Sequence, residues 1–83
     1  MQVVIKLFGA LRQYLPVGSS FNSCTLTVSD NAQLTDVLSQ LSIPEVKAYM
    51  VVLNDVKLDK HLYAETIVSA ADEIILLPPI KGG

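Results

Sequence analysis

Four consecutive large aliphatic residues, Ile74 to Leu77, run directly into Pro78 and Pro79. An unbroken apolar run of this length suits a strand buried on both faces, where no alternation is required. The prolines end it, since neither can donate a backbone N–H to a ladder. The whole chain is 83 residues, enough for one domain near the lower end of what folds unaided. So constrained, the core must be tight.

Upstream, the pattern alternates. Val3, Ile5 and Leu7 interleave with Gln2, Val4 and Lys6, a period of two that predicts a strand over 2–8 with one face mostly apolar. Residues 10–15 suit a short helix that Pro16 and Gly18 would stop. A second alternating run spans 21–28, with Cys24, Leu26 and Val28 facing one way and able to return antiparallel to the first strand. Leu34, Val37, Leu38 and Leu41 then fall at i, i+3, i+4 and i+7, the stripe of an amphipathic helix. Asp30 and Asn31 offer capping chemistry before it, and Pro44 ends it. Residues 49–53 form another β-rich run. Asn54-Asp55 suits a tight turn of type I′ if Asp55 accepts a positive φ, and 56–58 gives a short return strand. A polar stretch covers 59–65. The order is strand, strand, helix, strand, short strand, strand, an α+β chain with a mixed sheet and one main helix that covers a sheet face, the helix between strands suggesting a crossover.

Composition removes several functions. Net charge is −2 with the six basic residues spread singly, which leaves no nucleic-acid footprint. One cysteine and one histidine exclude an internal disulfide and a cysteine-built metal site, so no metal is expected. No apolar run approaches a membrane span and no secretory pattern opens the chain, which makes a reduced cytoplasmic setting the default and a membrane partner unexpected. Half the residues are hydrophobic (51%), more than so short a chain hides completely, and exposed apolar surface suggests a protein partner.

No internal residue has the company that catalysis needs. Cys24 sits inside an alternating strand with nothing to lower its pKa and reads as a small buried hydrophobe. His61, between Lys60 and Leu62, reads as a solvated loop residue without a positioned partner. Asp72 and Glu73 are adjacent, so in a strand they point apart and serve a turn and a strand start. No phosphate loop, zinc spacing or nucleophile elbow occurs.

The end of the chain differs. Pro78 and Pro79 hold an extended course away from the sheet. Ile80 lies outside the domain, where it gains nothing unless a partner buries it. Gly82 and Gly83 carry no side chains, so the backbone fits a narrow channel and presents a terminal carboxylate. The plain alternative is a frayed terminus. A double proline, an isolated isoleucine and a diglycine behind a core strand favour a purpose. The chain divides into a domain over 1–77 and an extended tail over 78–83.

Pro78-Pro79-Ile80-Lys81-Gly82-Gly83 resembles the terminal Pro-Pro-x-x-Gly-Gly of MoaD-type proteins, the small sulfur-carrying subunits of molybdopterin synthase within the MoaD/ThiS sulfur-carrier family. Asp72-Glu73 with the aliphatic strand behind it is similar to the family's Asp-Glu and last strand. Lys6-Leu7-Phe8-Gly9-Ala10-Leu11-Arg12 is similar to its first strand and following Leu-Arg. Two departures stand out: Ala70-Ala71 where glycine is common, and Lys81 where small residues are usual. The resemblance implies a ubiquitin-like β-grasp fold, a four- to five-stranded mixed sheet on one main helix.

It also implies a mechanism. Gly83 would be adenylated by an E1-like partner that uses ATP, then converted to a thiocarboxylate by a sulfur donor protein, with no cofactor bound to this chain. The tail, residues Pro78, Pro79, Ile80, Lys81 and Gly82, would insert into the large catalytic subunit of molybdopterin synthase and deliver sulfur to a pyranopterin precursor. Phe8, Tyr49 and Leu77 are the expected partner-facing residues. The chain would be a protein cosubstrate, non-catalytic alone. Three alternatives remain open: a thiamin-type sulfur carrier, a ubiquitin-like modifier joined through Gly83, and a plain interaction module.

Overall fold

The computed structural model describes residues 1–79. Its strands are β1 (Gln2–Leu7), β2 (Ser23–Thr27), β3 (Met50–Leu53), β4 (Val56–Leu58) and β5 (Glu73–Leu77), with one α-helix, α1 (Leu34–Ser39), and 3-10 segments at Gly9–Tyr14 and Lys60–Glu65. They form one mixed sheet in the order β2-β1-β5-β3-β4. At its centre β1 runs parallel to β5, with Ile5 opposite Ile74 and Leu7 opposite Leu76. The β1–β2 and β3–β5 pairings are antiparallel, as is the β3–β4 hairpin. This five-stranded sheet with its helix is the ubiquitin-like β-grasp architecture.

The core lies between the sheet and the helix layer. Val3, Ile5, Leu7, Val51, Ile74 and Leu76 point into it from the three central strands, and Leu34 and Val37 meet them from α1, all fully buried. Cys24 and Leu26 from β2, with Val28 just past its end, complete the same face, as their alternation predicts. Leu11 is fully buried at the middle of the first 3-10 segment.

Several expectations are corrected. The Ile74–Leu77 run is not buried on both faces. Ile74 and Leu76 are buried, whereas Ile75 and Leu77 are half-buried, because helical structure covers only one side of the sheet. The main helix is shorter than its stripe and ends at Ser39, with Leu41 buried just beyond it. Asp30 and Asn31 do not cap it. Asn31 adopts φ 66° in a preceding turn, and Gln33 is the N-cap, its N–H donating to the Asp36 carboxylate at 2.9 Å. Extended pairing delays the helix start: Leu34 N–H donates to the Thr66 carbonyl and Val68 N–H to that of Ala32. The polar stretch over 59–65 is not a simple loop. Its 3-10 segment leaves His61 exposed and buries Tyr63 to 8% exposure.

Two turns follow the reading closely. Asn54 and Asp55 both take positive φ, 51° and 69°, as a type I′ hairpin requires. The Ser69–Asp72 turn tolerates alanines because neither Ala70 nor Ala71 has positive φ. These turns lock together. Asn54 donates through its side chain to Asp72 at 3.0 Å and accepts from Glu73 N–H at 2.9 Å, while Asp72 also accepts from Ser69 N–H at 2.8 Å. Asp72 is a structural acceptor.

The hydrogen bond from Asn54, with those at Ser69, holds the Asp72 carboxyl below its ordinary pKa despite some desolvation. Its contribution to stability is therefore complete above the unfolded value, about pH 4, and is lost as pH falls through the lower folded value. Asp72→Ala should cost about 1 kcal/mol at neutral pH and flatten the acid limb of a denaturant-monitored pH titration. Tyr63→Ala should cost about 3 kcal/mol in the same assay, and Tyr63→Phe far less, because the ring fills the core.

Candidate functional site

The tail leaves the sheet at its centre. Leu76 and Leu77 end β5, and the Leu76 carbonyl accepts the Phe8 N–H at 3.1 Å, extending the β1–β5 ladder one step past β1. The next residue, Gly9, turns the chain with φ 59°, and a Cβ built on it would lie 2.7 Å from Pro78 Cγ. Pro78 therefore sits where a side chain at position 9 would be. Pro78 and Pro79 are exposed. Ile80, Lys81, Gly82 and Gly83 lie outside the described residues.

Around this root the uncovered sheet face is apolar. Register places Val4, Lys6 and Phe8 from β1 and its extension beside Glu73, Ile75 and Leu77 from β5, with Met50 and Val52 beyond them on β3. Val4 is 43% exposed, while Phe8, Ile75, Leu77, Met50 and Val52 are half-buried only by their neighbours on the sheet. Lys6 and Glu73 pair across the strands at 4.0 Å. Of the expected partner-facing residues, Phe8 and Leu77 come together here. Val4, Ile75, Met50 and Val52 join them without having been singled out. The available signal was Val4, an apolar residue on the otherwise polar face of the first strand.

Tyr49 stands elsewhere. It precedes Met50, whose side of the sheet is open, and packs against the core on the helix side. With Tyr63, Ile43, Pro44 and Lys60 it lines a cleft of about 620 Å³. Burial raises the pKa of both tyrosines, and for Tyr63 the nearby Tyr49 adds to the effect.

The other chemical candidates are separate from the tail root and from one another. Cys24 is buried on β2, and desolvation raises its thiol pKa. His61 is exposed in the second 3-10 segment. Asp72 is occupied by its turn, and Glu73 begins β5 on the open face. The described residues thus supply a platform and an exit, and the reactive group expected of this chain is the terminal carboxylate.

No curated protein matches the chain. Among solved structures, the crystal structure of SAMP1 from Haloferax volcanii aligns with a TM-score of 0.68 over 100% of each chain. At 20% identity that likeness shows a shared fold. Among the described residues no helix is long and apolar enough to cross a membrane. The family comparison reaches further, because the model that matches covers residues 5–83, from the first strand through both terminal glycines: the chain belongs to the ThiS family of ubiquitin-like sulfur carriers.

Proposed function

We propose that this chain carries sulfur as a C-terminal thiocarboxylate on Gly83 and delivers it to a pyranopterin precursor during molybdopterin assembly. The observation that carries the reading is the tail itself: Pro78-Pro79-x-x-Gly-Gly behind a central strand, in a family match that runs through Gly83. The double proline favours the molybdopterin branch over the thiamin branch of the family.

A carboxylate is a poor acyl donor, since oxide would have to leave. In the proposed sequence, a Gly83 carboxylate oxygen attacks the α-phosphorus of ATP on an E1-like partner. Pyrophosphate departs and an acyl-adenylate forms. Sulfur at the sulfide level, supplied by a donor protein, attacks the carbonyl carbon and AMP leaves with the original carboxylate oxygen. The thiocarboxylate is anionic at neutral pH and nucleophilic through sulfur. Transfer to the pterin occurs in the large catalytic subunit of molybdopterin synthase, with water restoring the carboxylate. This chain's contribution is to bind and orient. Its open apolar face, with Val4, Phe8, Ile75 and Leu77, buries against each partner, and Ile80 adds an anchor while the side-chain-free diglycine enters the active site.

Lys81 supports a second reading. A basic residue just before the diglycine is similar to ubiquitin, where the activated terminus is joined to a lysine amine. Intact mass spectrometry of the native protein separates the two: a carrier shows one oxygen replaced by sulfur at the terminus, a modifier shows isopeptide adducts. Deletion of Gly82 and Gly83 should abolish cofactor synthesis with the fold intact. Unchanged activity would remove every carrier reading. Adding the large subunit and pterin precursor to the thiocarboxylate form should consume it, and a form that persists would refute the molybdopterin assignment.

The apolar face makes its own prediction. Val4→Lys should leave stability within about 0.5 kcal/mol, since the position is exposed and faces Glu73. By calorimetry it should weaken partner binding by about 1 kcal/mol or more.

A further inference from the structure

We infer that Gly9 is a positioning residue for the tail: its bare α-carbon is the seat of Pro78 and fixes how the chain departs from β5. The inference rests on the reading of Gly83 as the reactive end. Two independent features require glycine here. The backbone is at φ 59°, and a Cβ would meet Pro78 Cγ at 2.7 Å, inside any real contact distance. Asparagine meets the first requirement, because its side chain tolerates the left-handed region, but not the second.

Which partner would yield is set by what holds each. Gly9 is fixed on both sides. Before it, the Phe8 N–H is bonded to the Leu76 carbonyl. After it, Leu11 N–H donates to the Phe8 carbonyl at 3.2 Å and the Leu11 side chain is fully buried. Pro78 is exposed and stands one residue beyond the last strand. A side chain at position 9 therefore displaces Pro78 and leaves the turn in place. Proline's fixed φ then passes the displacement on to Pro79.

The contact acts on presentation and leaves docking to the sheet face. Its signature is a split in the kinetics of adenylation by the E1-like partner with ATP, followed by pyrophosphate release. Gly9→Asn should lower kcat by about ten- to a hundredfold, the scale of a misplacement near 1 Å, while KM for the carrier stays within about twofold. Pro78→Ala, at an exposed site that cannot threaten the fold, should lower kcat in the same sense. The double variant should lose no more than the worse single variant, because both remove one contact. Multiplying losses would overturn the inference, as would an unchanged kcat in Gly9→Asn.

Nuclear magnetic resonance gives a readout that does not depend on the chemistry. The wild-type protein should show a cross-relaxation peak between the Gly9 Hα protons and the Pro78 Hγ protons, and Gly9→Asn should shift the Leu77 amide with core methyl signals unmoved. A missing wild-type peak overturns the seat directly. If the wild-type chain is not adenylated while the peak is present, the carrier reading fails and the seat stands.

Discussion

The parallel pairing of β1 with β5 holds everything else in place. It joins the first element of the chain to the last, opposing Ile5 to Ile74 and Leu7 to Leu76 in the middle of the sheet. The other strands build outward from this pair: β2 on β1, β3 on β5, and β4 on β3. Pairing segments so far apart in sequence costs loop entropy before it returns any burial, and complete burial of all four side chains is what offsets that cost. The same pairing has a functional consequence. A strand at the centre of a sheet is the least able to fray, and the tail leaves from its end, so its point of departure is as fixed as the core.

The two faces of that central pair divide the labour. Val3, Ile5, Leu7, Ile74 and Leu76 face the helix layer and supply the stability. Val4, Ile75 and Leu77 face away and are covered only by neighbours on the same sheet face, among them Lys6, Phe8, Met50 and Val52. Their apolar area contributes little to folding while water still reaches it. In the proposed function its value is realised when a partner completes the second layer. The hydrophobic excess of the sequence thus has a location, beside the tail root, and the proposed function would make partner binding and tail insertion one event there.

What could be read from the sequence followed the strength of each local signal. Alternation at Val3, Ile5 and Leu7 and at Cys24, Leu26 and Val28 assigned strands and faces, because a period of two is tied to the pleat. Asn54-Asp55 announced its hairpin, since only residues tolerant of positive φ occupy both positions. The Ile74–Leu77 run was ambiguous by nature. Four aliphatics fit a strand buried on both faces or one buried face and one awaiting a partner, and a single chain cannot tell the two apart. Leu41 extended the helical stripe in sequence without continuing the helix, because a side chain can reach the core from the residues after a helix end. Tyr63 was hidden: a 3-10 segment with one buried residue has no periodicity to detect. The seat at Gly9 was equally invisible, since it depends on a contact between opposite ends of the chain.

The chemical quietness of the domain fits the proposed cargo. A Gly83 acyl-adenylate is an electrophile, and any thiolate or free amine on the carrier's own surface within reach would capture it before sulfur arrived. The domain's one cysteine is buried on β2, and desolvation keeps its thiol protonated, so it offers little thiolate. The carboxylate of Asp72 is held by two hydrogen bonds in its turn, from the Asn54 side chain and the Ser69 N–H. Lys6, the lysine on the open face beside the tail root, is held in an ion pair with Glu73 at 4.0 Å. A carrier of this kind is selected for what its body does not do. In the proposed sequence, where partners supply the acid, the base and the sulfur, a body that holds no exposed thiolate beside the tail root leaves the activated terminus for the incoming sulfur.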